Sequence, residues 1–183
     1  MGQQSYHHGD LRRALLAAAA EAIDESGPAA VSLRDLARRT GVSHAAPQHH
    51  FGDKAGLLTA LAVEGYELLA QALEQGGGDL LEVGMAYVRF AAEHRAHFEV
   101  MFQPSLYHAD AAEVGAAQAR TRYALQGGLR GVTVADGQQA HASLAAWSIV
   151  HGFATLWLAG ALPPELGDDP AEAARPVIQL LFD

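Results

Sequence analysis

The sequence predicts an all-α protein, a short three-helix head followed by a longer helical body, and three observations carry that prediction. No stretch of five or more residues alternates β-branched and polar types between turn residues; residues 131–137 (GVTVADG) come nearest and are too few. Apolar residues instead recur every three or four positions, the period of a helix with one buried face. The chain has 183 residues, 50% hydrophobic and 18% charged, enough to bury a core, and contains no cysteine for a disulfide framework or a thiolate metal site.

Each helix has its own signals. Leu11, Leu15, Ala19 and Ile23 recur at four-residue intervals after Asp10, which is placed to cap a first helix ending at Gly27-Pro28. Ser32 followed by Asp35 resembles a capping box, and Leu33, Leu36 and Ala37 then share one face of a two-turn second helix that stops at Thr40-Gly41. Ser43 is placed to cap a short third helix that starts near His44 or Ala45 and reaches Phe51. Pro47 is tolerated there because a first-turn N–H has no partner within the helix. Gly52-Asp53 opens a fourth helix, whose stripe of Leu57, Leu58, Leu61, Leu68, Leu69 and Leu73 runs up to Gln75.

Beyond the Gly76-Gly77-Gly78 break, helices are predicted at about 79–95, 97–102 and 109–126. Residues 137–164 contain no Asp, Glu, Lys or Arg. That length meets the criterion for a membrane span, but the segment holds His141, Ser148, His151 and Thr155 and lacks the Lys/Arg bias that orients real spans. A helix buried on all sides, partly by a partner subunit, is the better expectation, with no membrane. Asp168-Asp169-Pro170 starts a last helix carrying Val177, Ile178, Leu180 and Leu181, which Pro176 bends or shortens. The first thirteen residues lack the apolar run of a secretion signal, so a cytoplasmic location is expected.

Net charge is −9, but unevenly spread. Residues 1–54 hold six basic and six acidic side chains, so the remaining residues carry the whole excess. Five of the ten histidines (His7, His8, His44, His49, His50) lie in this neutral head, which becomes positive when they protonate. One end of the molecule is therefore suited to approach an anion. Two short helices joined by a Gly-containing turn, 33–40 and 44–51, match the helix-turn-helix unit, whose second helix enters a DNA major groove. Ala37 falls where the two helices touch, Gly41 allows the chain to reverse, and Val42 is placed to fill the space beneath the turn.

The stretch from LRRALLAAAAEAIDESG through VSLRDLARRTGVSHAAPQHHFGDKAGLLTALA resembles the DNA-binding head of TetR/AcrR-type transcriptional regulators. Trp147-Ser148-Ile149-Val150-His151-Gly152 resembles the Trp-His-Gly signature of one group of their C-terminal domains. The resemblance implies a DNA-binding head at 1–54 and an effector-binding and dimerisation domain at 55–183. It also implies a homodimer paired through its last two long helices, and a repressor of a palindromic double-stranded DNA operator released by a small effector. By motif position Ser43, His44, Ala45, Gln48 and His49 would face base edges or phosphates, and His50 and Lys54 the DNA backbone. The family usually carries Tyr where this chain has Gln48.

The residues themselves agree in part. Gln pairs bidentately with adenine, and histidines donate to guanine or phosphate. Arg34, Lys54 and Arg12 supply few fixed cations, so the phosphate contribution is modest and affinity should rise as pH falls toward 6. No Lys or Arg precedes Arg12 to support a minor-groove arm.

The body has no phosphate loop, no diagnostic carboxylate pair and no His-Glu-x-x-His run, so neither a catalytic centre nor a cofactor is expected. Phe90, Met101, Phe102, Tyr107, Tyr123, Trp147 and His151 are candidates to line a pocket for an apolar or aromatic effector. Leu144, Ser148, Thr155, Leu158, Val177 and Leu181 are candidates for the dimer interface. Two alternatives stand beside this reading: a helical metal-binding protein or enzyme using His94, His97 and His108, and a helical interaction protein that has lost DNA binding.

Overall fold

The computed structural model describes residues 4–128 and 137–180. Among them it contains nine α-helices, two 3-10 turns and no strand. The helices are α1 (Gln4–Ser26), α2 (Leu33–Thr40), α3 (Ala45–Phe51), α4 (Lys54–Gln75), α5 (Leu80–Glu93), α6 (Arg95–Met101), α7 (Ala112–Gly128), α8 (Gln139–Leu158) and α9 (Pro170–Gln179). The 3-10 turns are Pro104–Leu106 and Pro164–Leu166. Most of the GVTVADG segment lies outside the described residues.

The chain divides into two units. The first comprises the described residues up to Gly65 together with Ala96–Gly115. Here α1 packs on α2 and α3, burying Leu15, Leu16, Ala19, Ile23, Leu36 and Ala37 with Leu57, Leu58 and Leu61 of α4. The helix does not start at Asp10, as its capping potential predicts: α1 already runs from Gln4, and Asp10 sits inside it, paired at i, i+3 with Arg13. This compact unit runs to Gly65 and takes in a second stretch of chain. Residues 96–115 join it because they lie against the first half of α4. The Thr59 hydroxyl accepts the His108 N–H at 3.0 Å, and His97 Nε2 lies 3.0 Å from the Glu64 carboxylate. A Cβ at Gly65 would come within 2.5 Å of Met101 Sδ, so only glycine admits α6 this close.

The second unit comprises Tyr66–Arg95 and the described residues from Ala116 onward. Helix α5 packs on both α8 and α9, and α8 on α9. Gly84 marks the crossing, since a Cβ there would stand 3.0 Å from Ile178 and 3.3 Å from Val150. Asp79 and Asp169 cap α5 and α9 through their carboxylates, and Pro176 lies within α9. The expectation that α8 is buried on all sides does not hold within one chain. It buries Val150, Phe153 and Ala154 and leaves Leu144, Ser148, Thr155 and Leu156 exposed. Among the described residues no helix is long and apolar enough to cross a membrane.

Candidate nucleic-acid interface

The local sequence forces α2 and α3 into a fixed angle. Ser32 Oγ accepts the Asp35 N–H at 3.2 Å and starts α2. Gly41 ends it at φ +67°, a left-handed backbone that an L side chain adopts only at a cost of about 1–2 kcal/mol. The Val42 N–H then returns to the Ala37 carbonyl at 3.0 Å. Ala37 is fully buried, as its place between the helices requires, while Val42 is only half buried and so covers the turn rather than filling the core. Ser43 does not take the capping role its side chain allows: the N-cap residue is His44, without a side-chain cap bond, and Ser43 contributes its carbonyl to the Ala46 N–H.

Pro47 is the one buried residue of α3, facing inward from the first turn. Ser43, His44, Ala45, Gln48 and His49 are all exposed, and on a helix His44, Ala45, Gln48 and His49 fall within one side. His50 is half buried, its ring centroid 6.1 Å from that of Phe51. A Cβ at Gly56 would overlap the Phe51 carbonyl oxygen, so α4 begins tight against the end of α3. Arg12 closes the other side, its guanidinium 5.6 Å from the Phe51 ring centroid.

The cations of this unit are mostly engaged. Arg39 bridges Glu25 and Asp35 and holds both carboxyls below the usual carboxylate range. Arg38 also binds Asp35, and Arg13 binds Asp10. Lys54, a predicted backbone contact, donates to the Ala29 carbonyl at 2.7 Å, tying α4 to the α1–α2 connection and leaving two of its ammonium protons for other acceptors. Arg34 is exposed on α2 and makes no ion pair among the described residues. The Asp35-Arg39 pair is readable as an i, i+4 spacing; the Glu25 and Ala29 contacts, distant in sequence, are not.

Residues 15–61 match the family model described as "Bacterial regulatory proteins, tetR family", and residues 80–181 match "Tetracyclin repressor-like, C-terminal domain". The second match alone spans more than half of the chain. The chain belongs to the tetR family. It is a TetR-type transcriptional regulator.

Solved structures agree. A protein of unknown function from Rhodococcus sp. RHA1 is 32% identical, with 98% of this chain and 97% of that one covered, at a TM-score of 0.78. The TetR family transcriptional regulator PfmR from Thermus thermophilus is 26% identical over 92% of this chain and 96% of its own, at a TM-score of 0.68. The putative regulatory protein SCO4313, 22% identical over 98% of both chains at a TM-score of 0.81, shares the fold. No curated protein sequence matches the chain.

In this TetR-type regulator the seven pocket candidates divide between the two units. Met101, Phe102 and Tyr107 belong to the first: Met101 packs on Gly65, Phe102 lies 5.0 Å from the Phe98 ring, and the Tyr107 hydroxyl donates to the Met101 carbonyl. Phe90, Tyr123, Trp147 and His151 belong to the second. Tyr123 is 66% exposed on α7. Phe90 lines a cavity of about 330 Å³, and Trp147 borders a slot of about 20 Å³. Trp147 and His151 meet at a residue the sequence did not single out, Tyr87 of α5. The Trp147 Nε1–H donates to the Tyr87 hydroxyl at 3.2 Å, and that hydroxyl lies 2.9 Å from His151 Nδ1. Burial raises the Tyr87 pKa and lowers that of His151.

The three histidines of the metal alternative do not converge. His97 binds Glu64, His108 lies 4.0 Å from Asp53, and the His94 ring lies tilted 5.2 Å from that of Phe90. Among the described residues no group of three His, Cys, Asp or Glu side chains is placed to hold a metal ion. Of the interface candidates, Leu144, Ser148, Thr155 and Val177 are exposed, Leu158 is half buried, and Leu181 lies outside the described residues.

Proposed function

We propose that this TetR-type regulator is a homodimeric repressor that reads a palindromic operator with α3 of each subunit and is released by a small effector held in its C-terminal unit. The observation that carries the reading is the outward side of α3: Ser43, His44, Ala45, Gln48 and His49 exposed together on a helix fixed from beneath by Pro47, Ala37 and Leu36. On this reading Gln48 pairs with an adenine edge and the histidines serve guanine or phosphate. Arg34, Lys54 and His50 contact the DNA backbone, which fixes register without carrying sequence information.

A single short helix binds weakly, and two heads about 34 Å apart on one dimer add their contributions. The uncharged side of α8, with Leu144, Ser148 and Thr155 exposed, supports pairing of α8 and α9 across a two-fold axis, with Leu158 and Val177 at the same interface. Effector release needs no chemistry, only a ligand that favours a dimer whose heads no longer fit successive grooves. A coupling of about 1–3 kcal/mol changes occupancy roughly 5- to 150-fold. Such a regulator works in the cytoplasm, where its operator lies.

Selection of bound sites from random duplex DNA tests the reading, followed by binding of the selected site to the wild-type chain and to the Gln48→Ala/His49→Ala/Lys54→Ala triple variant. Recovery of a palindrome that only the wild type binds, with the variant still dimeric, supports it. Absence of any enriched site overturns it.

A further inference from the structure

The second unit contains two adjoining cavities with a shared wall. The first, of about 330 Å³, lies between the last turns of α4 and the outer side of α5, with Leu68, Ala72, Ala86 and Phe90 as its apolar lining. Its volume falls in the range of small-molecule sites. The second, of about 440 Å³, lies between α5 and the start of α9 and is lined by Arg89, Ala92, Glu93, Asp168, Asp169 and Pro170. Arg89 and Glu93 border both.

The charges around this pair are lopsided. Glu82, Glu93, Asp168 and Asp169 face it, against the one guanidinium of Arg89 among the lining residues. Glu172 nearby is held below the usual carboxylate range chiefly by Arg175 of its own helix, with Arg89 adding a smaller attraction. Asp169 is occupied by the α9 cap, and Glu82 has Arg175 at 4.0 Å. Glu93 sits at the junction of the two cavities and makes no ion pair among the described residues. The apolar lining meets this acidic rim where the His94 ring lies 5.2 Å from Phe90, so aromatic faces flank the entrance.

We propose that these cavities bind a small organic cation, its aromatic or aliphatic body against Phe90 and Leu68 and its ammonium group at Glu93. An anion of the same shape meets four carboxylates against the one guanidinium of Arg89, and a neutral molecule gains nothing from them. The proposal names the effector class of the previous reading and rests on it for its regulatory meaning; binding itself is independent of DNA.

Calorimetric titration of the full chain, without DNA, decides the matter with three probes of one shape: 3-phenylpropylammonium, 3-phenylpropan-1-ol and 3-phenylpropanoate. One cation should bind per chain, about fivefold or more tighter than the alcohol, with affinity falling as salt is added. Glu93→Gln should remove that preference and leave the alcohol unchanged, and Ala86→Phe should abolish binding of both by filling the cavity. Equal binding of the alcohol or the carboxylate overturns the proposal, as does no binding by any probe, or binding that neither variant alters. Glu93→Gln is exposed and endangers no packing, so its result stands even if Ala86→Phe fails to fold. Operator binding measured separately keeps the two readings apart: a chain that binds the cation but no operator refutes the repressor and leaves this site intact.

Discussion

Gln48 and His49 are the exposed side chains of α3 with the reach and chemistry to read base edges. Gln48→Ala is expected to weaken binding by about 1–3 kcal/mol per half-site and to relax specificity at one position of each, measured by competition with singly substituted operators. Arg34→Ala acts differently. It should weaken binding to every sequence alike and lower the salt slope by about one per head, because it removes a phosphate contact. The sequence exposed Gln48 and His49 because a helix-turn-helix spacing dictates which side of its second helix faces outward. It could not reveal that Arg39 also reaches Glu25 or that Lys54 reaches the Ala29 carbonyl, since those contacts join residues 14 and 25 positions apart.

The helices were legible wherever a cap or a glycine punctuates them. Ser32 and Asp169 cap as their positions predict and Gly41 turns the chain, whereas Ser43 does not cap α3. Asp10 misled because an aspartate caps a helix or pairs within one, and Arg13 three residues on selects the second outcome. Gly41→Ala should destabilise the head by about 1–2 kcal/mol, read from urea unfolding followed at α3, with operator affinity falling in parallel.

Helix α8 carries its own prediction. His151, whose pKa burial lowers below the ordinary 6.5, stays neutral in the folded chain where the unfolded chain binds a proton. Stability is therefore full above about pH 6.5 and declines as pH falls from there toward the folded value. The urea midpoint should drop between pH 7.5 and 5.5, and His151→Asn, which removes the titration, should flatten that decline. An unchanged slope in the variant would assign the acid sensitivity elsewhere. Tyr87, the partner of His151, gave no warning in the sequence, because 64 residues separate them and a tyrosine on an apolar helix reads as packing alone.

At the scale of the molecule the all-α class and the family were readable from helical periodicity and motif; of the seven aromatic and soft side chains nominated for a pocket, Met101, Phe102 and Tyr107 belong to the first unit and Phe90, Tyr123, Trp147 and His151 to the second. The uncharged side of α8 yields a prediction on assembly. Ser148→Arg, at an exposed position, should leave each chain folded, shift sedimentation to the monomer, and reduce operator affinity to that of one isolated head.

The arrangement in which residues 96–115 lie against the first turns of α4 constrains anyone who wishes to transplant the reading head. A fragment ended after Gly65 would lose the His108 and His97 contacts to Thr59 and Glu64 and leave those polar groups to water. A graft of the whole first unit must therefore carry two separate stretches of chain, residues up to Gly65 and Ala96–Gly115.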